Sequence, residues 1–200
     1  MPKIVDHDQR RREVLDATWR VIVRSGLDAT TMRRIAQEAG YSNGVLAHYF
    51  KDKEALVLEV IALQTERVLG AQQPHLDALD SLQALRSWRD AIVRLNARVR
   101  AGGCPLGSLA NELANNSLGA RKRLASGFGT WTEHIERGIV TMQARGDLVP
   151  TADPHELAIA LLSAVQGGLL LAKTTKSSRA LEIAIDMAID HVANHMKKRA

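Results

Sequence analysis

The chain has 200 residues, of which 46% are hydrophobic and 24% charged, which is enough apolar content for one large or two small cores and argues against disorder. Its formal charge of +5 permits a polyanionic partner, but residues 1–60 hold ten Lys/Arg against nine Asp/Glu, so a nucleic-acid contact would have to come from a few cations on one face. A single cysteine, Cys104, excludes an internal disulfide; with no run near the roughly eighteen apolar residues of a membrane span and no apolar signal core in MPKIVDHDQRRREVLD, a soluble cytoplasmic chain is expected.

From Arg10 to Arg24 the residues Val14, Leu15, Ala17, Thr18, Val21 and Ile22 recur at three- and four-residue steps, predicting an amphipathic helix ended by Gly26. Thr30 and Thr31 offer a hydroxyl cap to a short second helix, whose inward face is Met32, Ile35 and Ala36 and whose end is Gly40. Ser42 can cap a third helix through Asn43 to about Tyr49. The intervening EAGYS has the length and glycine content of a helix-turn-helix connection. KDKEALVLEVIALQTERVLG opens a long fourth helix, with Asp52 and Glu54 of favourable sign at its start. Beyond Pro74 the pattern predicts helices over about 79–100, 106–115, 119–145, 155–173 and 178–197, with Asp153 capping and Pro154 at the first position of the fourth of these. Nothing reads as a strand.

The expected fold class is therefore all-α, with about nine helices. A three-helix unit with a helix-turn-helix (residues 1–53) precedes a larger helical domain (54–200). In the small unit Ile35, Ala36, Val45, Leu46 and Phe50 are assigned to packing, which leaves Arg33, Arg34, Gln37, Asn43, Gly44, Ala47, His48 and Lys51 free to face outward. Small residues at 44 and 47 allow a helix to approach another surface, and a B-DNA major groove accepts one helix by its N-terminal turn. The stretch YSNGVLAHYF thus reads as a recognition helix. No nucleophile or acidic partner lies beside His48 to suggest catalysis.

TTMRRIAQEAGYSNGVLAHYFKDKEAL, within a match from about Val14 to Val60, resembles the N-terminal domain of the TetR family of bacterial transcriptional repressors. The resemblance implies that Ser42, Asn43, Gly44 and Val45 form the groove-facing start of the third helix. It further implies that Thr31 and Arg33, with Arg34 beside them, approach the DNA backbone, and that Lys53 meets a phosphate. Tyr49 stands where the family usually has histidine, with His48 next to it, and Val45 and Ala47 replace a common threonine and tyrosine, which alters the expected target sequence. The implied partners are a near-palindromic operator of double-stranded DNA, a second copy of the chain and a small-molecule effector. The implied function is a repressor released by that effector; an activator, or a ligand-binding protein without specific DNA binding, are the alternatives. No enzyme constellation, cofactor motif or metal-ligand spacing is present in the sequence.

In the larger domain, two apolar stripes predict a dimer interface: Leu161, Leu162, Val165, Gly168 and Leu169, and Leu181, Ile185, Ala188 and Val192. Gly167 and Gly168 inside a helix imply close backbone packing. Trp88, Phe128 and Trp131, with Cys104, Asn111 and His134, are the candidate lining of an effector pocket. A lone thiol in RAGGCPLGSL has no adjacent cation to activate it, so an unreactive Cys104 is the leading expectation.

Overall fold

The computed structural model describes residues 7–98 and 102–197; the first six residues and the junction at 99–101, where the fifth expected helix was to end, lie outside it. The described helices are α1 (His7–Ser25), α2 (Met32–Ala39), α3 (Asn43–Tyr49), α4 (Lys53–Gly70), α5 (Leu82–Arg98), α6 (Pro105–Leu113), α7 (Leu118–Ala144), α8 (Pro154–Thr175) and α9 (Arg179–Ala193), with a 3₁₀ turn at His75–Asp77. No strand occurs among the described residues. One isolated antiparallel bridge joins Leu148 to Met196.

Local chemistry fixes most of the boundaries. α1 buries the six residues marked by its periodicity. At α2 it is Thr31 that caps, its hydroxyl accepting from the Arg34 N–H at 3.3 Å, while the buried Thr30 hydroxyl donates to the Gly26 carbonyl at 2.8 Å. Gly40 ends α2 in the left-handed conformation, φ 72°, where a Cβ would be strained. Ser42 caps α3, Asp52 caps α4 and Asp153 caps α8, with Pro154 in the first turn of the last. Asp52, placed by its charge in the first turn, is thus the cap itself.

The hydrophobic core is continuous from Val14 in α1 to Val192 in α9. The small three-helix unit rests on α4, which also packs against α7. Ion pairs fasten the same junction: Arg11 of α1 to Glu59 of α4, and Arg67 of α4 to Asp16 of α1. Such part-exposed pairs contribute little energy individually. Their value is in holding α1 and α4 in one register.

The two stripes expected to meet a second subunit do a different job. Leu161, Leu162, Val165, Gly168, Leu169, Leu181, Ile185, Ala188 and Val192 are all buried inside the protomer, where α8 and α9 make the most extensive helix contact of the fold. A Cβ on Gly168 would lie 2.7 Å from Leu181 Cα, so this glycine lets the two helices of one chain touch. Gly167 has nothing within 4 Å of the same position. The outward faces carry Ile159, Leu170 and Leu171 on α8 and Ile183 and Met187 on α9. α8 is long and apolar enough by composition to cross a membrane, yet 44% of that apolar window is buried inside the protein.

Candidate nucleic-acid interface and ligand cavity

α2 and α3 present one outward surface. Leu46 and Phe50 are buried and Val45 is half-buried, which turns Ser42, Asn43, Gly44, Ala47 and His48 to solvent. Thr31, Arg33 and Arg34 are exposed at the start of α2. Arg34 is partly committed, since its Nη1 donates to the Ala29 carbonyl at 2.9 Å. Arg33 makes no ion pair or hydrogen bond among the described residues.

Two residues of the expected DNA-reading set, Lys53 and Tyr49, have partners within the protein. Lys53 Nζ donates to the Leu27 carbonyl at 2.8 Å, tying the start of α4 to the α1–α2 turn and leaving two of its three N–H donors. The Tyr49 hydroxyl is 2.9 Å from His7 Nδ1, and the rings of His7, His48 and Tyr49 form a small cluster with centroids 5.3 to 6.1 Å apart. Tyr41 is a buttress not anticipated from sequence: its hydroxyl donates to Glu13 and Arg10 lies over its ring. Glu38 holds α2 to α1 through Arg20 and Arg24, and hydrogen bonds from those two guanidiniums lower its pKa.

The larger half contains a mostly apolar cavity of about 200 Å³ between α4, α5, α7, α8 and the segment entering α6. Of the six residues expected to line a pocket, Trp131 and Cys104 are on its wall. Trp88 is one layer behind: fully buried, it donates through Nε1 to Gln72 Oε1 at 2.9 Å and so positions a wall residue. Asn111 and Phe128 line a separate depression of about 330 Å³ that shares Gly103 and Cys104 with the cavity. His134, one turn along α7 from Trp131, does not line the cavity: its imidazole is 3.2 Å from Asp77 of the 3₁₀ turn and is in contact with Arg137. Gln64, Arg67, Val68 and Gln72 were not anticipated and supply the α4 side of the wall and its continuation. Gln64 was detectable, because it falls three, four and seven residues after Ile61, Val60 and Val57 on the buried face of α4. A polar residue in that phase departs from the pattern.

Cys104 is buried, and loss of solvent pushes its thiol pKa up; hydrogen bonds from the Gly107 and Leu106 backbone and the Gln166 side chain offset this only in part. A raised pKa leaves less thiolate at neutral pH. The folded protein should therefore react with a thiol reagent at pH 7 more slowly than the same chain in denaturant, as read by the absorbance of the released chromophore. Equal rates in the two states would contradict the buried, protonated thiol.

Comparison with known proteins matches this architecture in both halves. Residues 14–60 match the model for bacterial regulatory proteins of the tetR family, and residues 78–188 match a tetracyclin repressor-like C-terminal domain. The HTH-type transcriptional regulator PksA of Bacillus subtilis is 44% identical over 68 residues, 34% of this chain and 33% of that protein. A BetI regulator of Burkholderia lata is 44% identical over 75 residues, 38% of each chain. The matches thus span little more than a third of these relatives. Among solved structures, a TetR regulator from Chloroflexus aurantiacus superposes with a TM-score of 0.81 at 22% identity, covering 96% of this chain and 98% of that one. One from Haloarcula marismortui gives 0.77 at 18% identity, covering 95% and 100%; at such identities the likeness establishes the fold. With both of its halves matched, one of them over more than half its length, the chain belongs to the tetR family of bacterial transcriptional regulators.

Proposed function

We propose that the protein is a dimeric repressor that reads a near-palindromic operator with α3 and leaves it when a small molecule enters the α4–α7 cavity. The observation that carries this reading is the exposed, Ser42-capped start of α3 beside the unpaired Arg33, on a unit locked to the helix that lines the cavity. In this reading Asn43 and Gly44 at the start of α3 meet the base edges, and Arg33, Thr31 and the free donors of Lys53 serve the phosphates.

α4 supplies the coupling. At its start Lys53 holds the α1–α2 turn, and about 16 Å further on, at 1.5 Å per residue, Gln64 reaches the cavity. Arg67, also on the wall, is ion-paired to Asp16 of α1. A molecule that shifts this part of α4 therefore pulls on the middle of α1 and on the α1–α2 turn. Release requires that the effector bind the DNA-incompetent arrangement more tightly; a tenfold loss of DNA affinity corresponds to about 1.4 kcal/mol of coupling.

Dimerisation is assigned to the outward faces of α8 and α9. Ile159, Gly167 and Leu170 share one face of α8, and Ile183 and Met187 are one turn apart on α9. The open space at Gly167 suits close approach by another helix. A two-fold pairing of these faces would set two α3 helices for successive major grooves.

Two substitutions separate the roles at the DNA. Arg33→Ala should weaken all duplexes alike and reduce the slope of log affinity against log salt by about one. Asn43→Ala should change sequence preference while leaving that slope in place. Titrations at several salt concentrations decide; an unchanged slope for the arginine variant would remove its phosphate role. Lys53→Ala is a less clean probe, because it also cuts the bond to Leu27.

A further inference from the structure

The cavity wall has an imbalance in its hydrogen bonding. Two tryptophans are buried nearby, and they differ in one respect: Trp88 Nε1 is satisfied by Gln72, whereas the Nε1 of Trp131, a wall residue, has no partner among the described residues. Gln64, 3% exposed and also on the wall, has an Nε2 with no partner among the described residues. Buried donors are nearly always paired, and an unpaired one marks a place where something else supplies the acceptor. Other polar groups of the wall have partners. Gln72 both accepts from Trp88 and donates to the Val68 carbonyl, Asn96 accepts from the Gly103 N–H, and Arg67 is paired with Asp16.

Resting on the reading of this cavity as the effector site, we infer that the effector is an uncharged, largely apolar molecule of one or two rings bearing hydrogen-bond acceptors that Gln64 Nε2 and Trp131 Nε1 reach. Size follows from the volume: a cavity of about 150 Å³ holds benzene, and this one is about 200 Å³. Charge follows from the wall. Among the described residues that line it there is no Asp or Glu to balance a cation, and the single cationic side chain, Arg67, is already balanced by Asp16, so an anion would be left unpaired in apolar surroundings. Polarity follows from the donors. The indole N–H can only donate, whichever way the Gln64 amide is turned, so an acceptor such as a carbonyl or lactone oxygen is selected over a bare hydrocarbon.

The test uses four small probes on the full chain: phthalide, a neutral bicyclic lactone; indane, its hydrocarbon counterpart; benzoate; and trimethylanilinium. Affinities are measured by calorimetry, and the Trp131 indole resonance is followed by ¹⁵N NMR, assigned by its disappearance in Trp131→Phe. Phthalide is expected to bind about tenfold more tightly than indane, the scale of one or two net hydrogen bonds, with both ions weaker. The Trp131 indole proton should move on binding while that of Trp88 stays. In Gln64→Leu and in Trp131→Phe, which keep the side-chain bulk apolar, the preference for phthalide should fall to about threefold or less. Indane binding as well as phthalide, an ion binding best, or an unmoved Trp131 resonance would overturn the donor assignment while leaving the cavity as a ligand site. Failure of all four to bind at millimolar concentration would overturn both that assignment and the effector reading of the cavity.

Discussion

Leu170→Asp combined with Met187→Asp should convert the protein to a folded monomer and lower its operator affinity by between about 10² and 10⁴, the contribution of linking two weak half-site contacts. The two side chains are 56% and 68% exposed, so carboxylates there cost the protomer itself little. At a two-fold apolar interface each would be repeated across the axis, placing like charges in a water-poor setting. Sedimentation gives the mass and a DNA titration the affinity. A variant that remains dimeric with unchanged affinity would place the subunit contact elsewhere, whereas a monomer with unchanged affinity would remove the need for two readers.

Gly138→Ala and Gly129→Ala, nine residues apart on α7, should change stability in opposite directions. A Cβ at 138 would lie 2.3 Å from the Leu79 carbonyl oxygen and 2.6 Å from its carbon, and backbone atoms cannot swing aside as a flexible side chain does. Overpacking of this kind costs about 1–3 kcal/mol, so Tm should drop by roughly 2–12 °C for a chain of this size. At 129 nothing lies within 4 Å. Alanine there gains about 0.5–1 kcal/mol from reduced backbone entropy in the unfolded state and better helix propensity, and Tm should rise. Calorimetric scans of the two variants beside the parent check this. A Gly138→Ala protein as stable as the parent would mean that the backbone at Leu79 and α7 can separate without cost.

The N-terminal half was legible because local chemistry and tertiary packing agree there. The same six residues that give α1 its periodicity are its buried face, and Thr31, Gly40 and Ser42 perform the capping expected of their types. The resemblance over residues 14–60 coincides with the matched family model. α8 and α9 were legible as helices but not in their partners. An apolar stripe states that a face is buried, and Leu161 or Ile185 carries no mark of whether the neighbour is another helix of the same chain or of a second copy. The residues that remain outside, Leu170 and Met187 among them, lie between the buried ones in sequence and are visible only once the buried face is known.

The cavity was partly legible for a related reason. Trp88 and Trp131 are alike by residue type and by their placement in helices, yet one finds an acceptor in Gln72 and the other does not. That distinction depends on which side chains converge from α4, α5 and α7. His134 was assigned by its chemistry alone and belongs instead to a surface contact with Asp77. Gln64, by contrast, interrupts an apolar phase in α4, a signal present in the sequence.

The most direct measurement is a salt-controlled titration of the purified protein against DNA flanking its own gene, with scrambled duplex as competitor, followed by footprinting. The account predicts a protected near-palindromic site with half-sites about one helical turn apart and an affinity at least about 10³ times that for the scrambled duplex. Specific protection of a single half-site by a monomer, or binding no tighter than to scrambled DNA across a genomic library as well as the flanking region, would contradict it.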